Sequence, residues 1–181
     1  MEESSLKPEV VNDVRCLLGE GPLWDDETQT IYWLDIVNKN IHWFSPTNQN
    51  GGKLTLEQMP GAIALYNKDE FIAGLEKGIY FVNKKTRALR EISQPESHLP
   101  DNRSNDGKCD TSGRFWIGTM PKSEDCKTGS LYMLEDSRHP VRKVSDTTIS
   151  NGLAWSPDDK TFYFIDTGTG GVDAFDYDSD T

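Results

Sequence analysis

Cysteine is scarce in this sequence. The three residues Cys16, Cys109 and Cys126 stand far apart in 181 residues, and no C-x-x-C pair occurs. An odd, scattered set argues against a disulfide framework, and the missing pairs exclude a zinc ribbon. The three histidines, His42, His98 and His139, form no H-E-x-x-H or other metal spacing, and there is no G-x-S-x-G elbow for a serine nucleophile. His42 reads as a packing residue of a strand. No apolar run approaches the length of a membrane span. Met1-Glu2-Glu3-Ser4-Ser5 lacks the basic and apolar regions of a signal peptide, so the expected compartment is the cytoplasm. Asn102-Arg103-Ser104 fits a glycosylation acceptor and is expected to stay unmodified without a secretory route. Basic clusters are absent and the net charge is −11, which argues against nucleic acid as a partner. Neither a membrane nor an obligate protein partner is expected. Helical periodicity is missing over any useful length.

Internal repetition is what the sequence does have. Gly21-Pro22-Leu23-Trp24-Asp25-Asp26 and Gly152-Leu153-Ala154-Trp155 each place Trp three residues after Gly. A polar turn then leads to Thr30-Ile31-Tyr32-Trp33-Leu34-Asp35 in one copy and Thr161-Phe162-Tyr163-Phe164-Ile165-Asp166 in the other. The closing Asp falls 14 residues after the Gly in both, 35−21 and 166−152. Weaker copies open at Gly61 and Gly107, so the leading glycines are spaced by 40, 46 and 45 residues. Strand, tight turn, strand, loop, strand at this period is the signature of propeller blades. The expected fold is all-β: a single β-propeller domain over residues 1–181 with about four blades. Outer strands are expected at Lys53–Gln58, Leu89–Ile92 and Val141–Val144. Four blades read as the front portion of a longer ring, with Val10–Leu18 suited to a strand that closes it.

The first strand of each blade lines the central channel, so the residues opening those strands face one another. Blade one opens with Glu20-Gly21, blade three with Asn105-Asp106-Gly107 and blade four with Asn151-Gly152; blade two offers only Pro60-Gly61. Singly, such pairs are turn residues. At one phase of a repeat, a carboxylate and two carboxamides converge on one axis, and oxygen donors of this kind suit a hard divalent cation. Two other segments fail their context. Thr167-Gly168-Thr169-Gly170-Gly171 is followed by a strand, not the helix a phosphate loop requires. Asp176-Tyr177-Asp178-Ser179-Asp180 resembles the start of a calcium loop but reads as an acidic inter-strand turn.

Gly19-Glu20-Gly21-Pro22-Leu23-Trp24, Asn102-Arg103-Ser104-Asn105-Asp106-Gly107-Lys108, Gly118-Thr119-Met120, Ser150-Asn151-Gly152-Leu153-Ala154-Trp155-Ser156 and Val172-Asp173-Ala174-Phe175-Asp176-Tyr177-Asp178 also carry a resemblance. In order and spacing, from about Cys16 onward, they resemble the regucalcin, senescence marker protein, gluconolactonase and luciferin-regenerating enzyme family. The resemblance implies a six-bladed propeller with one divalent metal (calcium, or zinc, manganese or magnesium) at the channel mouth. It implies opening of sugar lactones. Matched residue by residue, Glu20 and Asn151 fall on metal ligands, and Arg103 and Asn105 on substrate-binding positions. The family's remaining ligand, an Asp that also serves as acid/base, would fall beyond Thr181, so no catalytic residue is assigned here. A further acidic substrate contact aligns with Ser123, beside Glu124, and its role is not carried over. Two other readings share this site: a calcium-binding regulatory protein without turnover, and a luciferin-regenerating type of hydrolase.

Overall fold

A computed structural model describes residues 8–135 and 139–179. The chain folds into four antiparallel sheets in a propeller arrangement, as the repeat requires. Blade one holds β1 (Gly19–Asp25), β2 (Thr30–Asp35), β3 (Asn40–Ser45) and β4 (Asn50–Thr55). Blade two holds β5 (Pro60–Leu65), β6 (Glu70–Leu75), β7 (Gly78–Asn83) and β8 (Leu89–Ser93). Blade three holds β9 (Asn102–Cys109), β10 (Phe115–Pro121), β11 (Gly129–Leu134) and β12 (Pro140–Thr147). Blade four holds β13 (Ser150–Trp155), β14 (Thr161–Asp166) and β15 (Asp173–Asp176). Each sheet runs in sequence order. The inner strands stand side by side, β1 against β5, β5 against β9 and β9 against β13.

The tight turns are built by side chains that satisfy backbone N–H groups. Asp25 Oδ1 accepts from the Glu27 and Thr28 amides, Asn67 Oδ1 from Asp69 and Glu70, and Ser156 Oγ from Lys160 and Thr161. Between blades, alternate strand residues interdigitate. Leu34, Ile41, Phe71 and Leu75 fill the seam of blades one and two. Ile79, Phe81, Phe115 and Ile117 fill the next, and Trp116, Leu131, Leu153 and Phe164 the third. Each fully buried large side chain contributes about 1.5–3 kcal/mol relative to exposure, so the seams between blades hold the fan together.

Every inner strand carries a register shift at its opening: between Glu20 and Leu23, Pro60 and Ala62, Ser104 and Gly107, and Asn151 and Leu153. A bulge bends the strand and re-aims its side chains. Gly21 and Gly152 sit at positive φ, +58° and +25°, inside their bulges, where a side chain would be strained. The closing Asp of the repeat is a clamp. Asp35 accepts from the Leu17 and Leu18 amides, and Asp166 from Thr148 and Ile149. Ile36 N–H then donates to Leu18 O, and Thr167 N–H to Ile149 O, both at 3.0 Å. The repeat therefore joins each blade to the chain entering it.

Two expectations shift. The outer strand of blade one is Asn50–Thr55, not Lys53–Gln58. Gly51 and Gly52 have poor strand propensity, yet they pair with Phe44 and Trp43, where a Cβ on Gly52 would lie 3.0–3.1 Å from the Trp43 indole. The need to cover that ring overrides propensity. Val10–Leu18 forms no strand: a strand needs a neighbouring edge, and this segment is tied down through the Asp35 clamp instead. Asp176 ends β15, and Asp180 of the acidic turn lies outside the described residues.

Candidate functional site

The bulges bring the openings of blades three and four together. Asn105 Nδ2 donates to Ser150 O at 2.9 Å, across 45 residues of sequence. Arg103 Nη1 donates to Asn105 Oδ1 at 3.0 Å and to Ser104 O at 2.9 Å. Both side chains are half-buried. Burial draws the Arg103 guanidinium below its usual value, opposed by the charges of Glu124 and Glu76. Arg103, Asn105 and the backbone that carries Asn151 thus form one hydrogen-bonded chain.

Asn151 is half-buried at the start of β13. Its Nδ2 donates to Thr167 Oγ1 at 3.2 Å, and its Oδ1 accepts the Gly152 amide at 3.2 Å. A carboxamide oxygen has two lone pairs, so one remains for a cation. Glu20 lies at the corresponding opening of β1 and is exposed, with no hydrogen bond or ion pair among the described residues. The structure therefore unites Arg103, Asn105 and the Asn151 strand, and leaves Glu20 at the corresponding opening of β1 without a contact to them. A carboxylate and an amide oxygen are donor types that a hard divalent cation takes.

Asp106 belongs to the repeat opening of blade three, whereas Glu76, Glu96 and Lys122 near this mouth carry no signal in the repeat pattern. Asp106 is half-buried; burial lifts its carboxyl above the ordinary range, against the pull of the Gly107 amide, which it accepts at 2.8 Å. Lys122 bridges Glu76 at 2.6 Å, from the end of blade two's sheet to blade three. Glu96 binds Thr119 and Tyr132 hydroxyls through Oε1 and Asn102 Nδ2 through Oε2. Glu76, Glu96, Lys122 and Arg103 line a cavity of about 290 Å³. Of the pair Ser123 and Glu124, Ser123 is turned to Asp125 Oδ1, whereas Glu124 acts on the Arg103 charge. Thr167, the partner of Asn151, follows directly on the repeat's closing Asp166, and that adjacency is the one sequence signal that points to it.

The family described as the SMP-30/gluconolactonase/LRE-like region matches residues 18–181. The chain is 34% identical to human regucalcin over 184 residues, covering 98% of this chain and 61% of that protein. The crystal structure of a calcium-binding protein, regucalcin, from Agrobacterium tumefaciens superposes with a TM-score of 0.88 at 30% identity, over 93% of this chain and 57% of that one. A luciferin-regenerating enzyme superposes with a TM-score of 0.85 at 35% identity, over 91% and 57%. The chain spans about three fifths of the length of these relatives. No helix among the described residues is long and apolar enough to cross a membrane. Sequence match and superposition agree: this chain belongs to the SMP-30/gluconolactonase/LRE-like family.

Proposed function

We propose that this chain forms the larger part of a divalent-metal-dependent lactone hydrolase that opens sugar lactones at the propeller mouth. The observation that carries the reading is the chain Arg103–Asn105–Ser150 O, which seats a guanidinium and a carboxamide beside Asn151. Glu20 and Asn151 would hold the ion. Such an ion, when bound, polarises a carbonyl and lowers the pKa of a coordinated water.

The chain's own residues supply recognition. One proton of Asn105 Nδ2 is committed to Ser150 O; the second is free to donate to a ring or carbonyl oxygen. Arg103 can fork onto sugar hydroxyls or onto the carboxylate that forms when the ring C–O bond breaks. Its anchoring to Asn105 fixes the fork before substrate arrives, which reduces the cost of ordering it. The protein is expected in the cytoplasm.

Gluconolactone hydrolysis by the protein, with zinc, manganese or calcium supplied in turn, tests this. Glu20→Ala and Asn151→Ala should each lower kcat by about 10²–10³-fold, on the scale of losing a preorganised electrostatic group. Unchanged rates in both variants would overturn the metal assignment. Calcium binding without turnover on any of a panel of lactones would favour the regulatory reading instead. Turnover of a luciferin precursor in place of sugar lactones would move the substrate but keep the site.

A further inference from the structure

A second donor cluster lies away from the mouth, where the entering chain meets blade one. Donor atoms of Cys16, Asp35 and His42 all lie within 4.8 Å of one another. Asp35 and His42 are 1% and 7% exposed, and Cys16 is half-buried. His42 Nε2 is buried without a hydrogen-bond partner. An orphaned buried imidazole nitrogen is unfavourable unless something occupies its lone pair or takes its proton, and the ring stacks on Trp33 at 5.3 Å, which fixes its plane.

We propose that Cys16, Asp35 and His42 form a zinc-class metal site, separate from the ion at the propeller mouth, that staples the entering chain to blade one. A thiolate, an imidazole and a carboxylate are the donor types that select a borderline-soft ion such as zinc over calcium or magnesium. Bond lengths of about 2.3 Å to sulfur and about 2.0 Å to nitrogen and oxygen put tetrahedral donors about 3.3–3.6 Å apart. The three donors need draw together by no more than about 1.5 Å. Cys16 can supply that movement, because it lies outside every strand. The other two are set by β-sheet register: Asp35 pairs with Asn40 and Trp33 with His42, so Asp35 and His42 are diagonal neighbours on one face. Asp35 is held in place by the Leu17 and Leu18 amides and by Asn38 Nδ2 at 2.7 Å, the outer hydrogen bonds that orient a ligating carboxylate. A cavity of about 500 Å³ lined by Asp35, His42, Trp33 and Asn40 opens onto the cluster and gives an ion and its fourth, water ligand a way in.

Blade four supplies the internal control. Its Asp166 clamp has the same hydrogen bonds, yet Thr147 stands where Cys16 stands and Asp173 pairs where His42 pairs. Among the described residues, only blade one surrounds the clamp with a thiol and an imidazole.

Cobalt(II) added to the chelator-treated protein is the probe, with zinc(II) as competitor. One equivalent, beyond any ion taken at the mouth, should bind with a near-ultraviolet thiolate-to-cobalt charge-transfer band that zinc bleaches. Cys16→Ser should abolish the band, and His42→Gln should weaken cobalt binding at least about tenfold. Cys126→Ser and Asn151→Ala should leave it intact. Zinc should raise the thermal midpoint of the unsubstituted protein and not that of Cys16→Ser, a change outside the strands. A missing thiolate band at saturating cobalt, or a band that survives Cys16→Ser or keeps its affinity in His42→Gln, would overturn the proposal. Because the readout is a thiolate band, its failure leaves the lactonase reading standing, and failure of that reading leaves the band unchanged.

Discussion

Blades three and four meet twice, once at their rim and once at the mouth, and the two junctions differ in how completely their polar atoms are used. At the rim, Asp110 Oδ1 accepts the Arg114 amide, and Asp110 Oδ2 accepts Arg114 Nε at 2.7 Å, Trp116 Nε1 at 2.9 Å and Tyr177 OH at 2.8 Å. Arg114 Nη2 donates back to Tyr177 OH at 2.7 Å. Trp116, Trp155 and Phe162 close over the network. At the mouth, by contrast, Asn105 keeps a free proton, Arg103 keeps donors, Asn151 keeps a lone pair, and Ser150 Oγ is buried with no partner. The Asp110 carboxylate is saturated and holds the blades together, while Trp155 Nε1 above it is buried without a partner; a network with donors left over beside an open cleft is ready for a ligand.

Asp110→Ala should therefore cause the largest loss. It leaves the Arg114 charge buried and unpaired, which costs about 3–5 kcal/mol, read as a lowered melting midpoint. A loss under about 1 kcal/mol would mean the rim does not bear the junction. The same network predicts an acid limb. Burial alone would raise the Asp110 carboxyl, but hydrogen bonds from Trp116, Arg114 and Tyr177 hold it below its ordinary 3.8. The unfolded chain thus takes up the proton first as pH falls. The stabilisation is complete above the ordinary carboxylate value and is lost as pH drops through the lowered one. Asp110→Asn should flatten that limb in urea melts across acid pH; an unchanged slope would assign it to other carboxylates.

Gly118→Ala comes next and joins the two junctions, since β10 serves both. A Cβ there would lie 2.0 Å from Ser150 Oγ and 2.5 Å from Ser150 Cβ. The forced shift should cost about 1–3 kcal/mol. Ser150→Gly in the same chain should recover part of it, and a double-mutant cycle measures the coupling. Additive effects would show that β10 and β13 do not press on each other at that point.

Asn105→Ala separates stability from activity. It removes one half-buried hydrogen bond to Ser150 O and unseats Arg103, so unfolding should change by only about 1 kcal/mol. Under the lactonase reading, kcat/KM should fall by more than about tenfold, since one transition-state donor goes and a second loses its anchor. A large stability loss with intact turnover would reverse the roles given to the two junctions.

The rim and the mouth were also unequally legible in the sequence. The blade phase was readable because Gly, Trp and Asp recur at fixed offsets, and Asn105 and Asn151 open strands at that phase; Arg103 was legible only through the family resemblance. The Asp110 network was not readable, because Tyr177 lies 67 residues from Asp110 and no local pattern links them. Trp24 and Trp155 share a repeat position, yet Trp24 is 44% exposed while Trp155 packs against Trp116, Phe162 and Tyr177. Burial at equal phase depends on the neighbouring blade, which the repeat does not encode. His42 read as packing for the same reason: its cluster is assembled from the entering chain and two strands.

The smallest effect is expected where the contrast is sharpest. Ser150 is fully buried at the mouth, and its hydroxyl has no partner. Its backbone oxygen, not its side chain, accepts from Asn105, so Ser150→Ala keeps the link between blades. Removing an unsatisfied buried hydroxyl returns its desolvation cost, whereas removing a bonded one loses stability. The substitution should change the unfolding free energy by less than about 0.5 kcal/mol, or raise it. The equivalent loss of a hydroxyl at the rim, Tyr177→Phe, strips one hydrogen bond from Asp110 and one from Arg114 and should be clearly destabilising. If Ser150→Ala costs as much as Tyr177→Phe in parallel denaturant titrations, the mouth is as saturated as the rim, and the distinction between them fails.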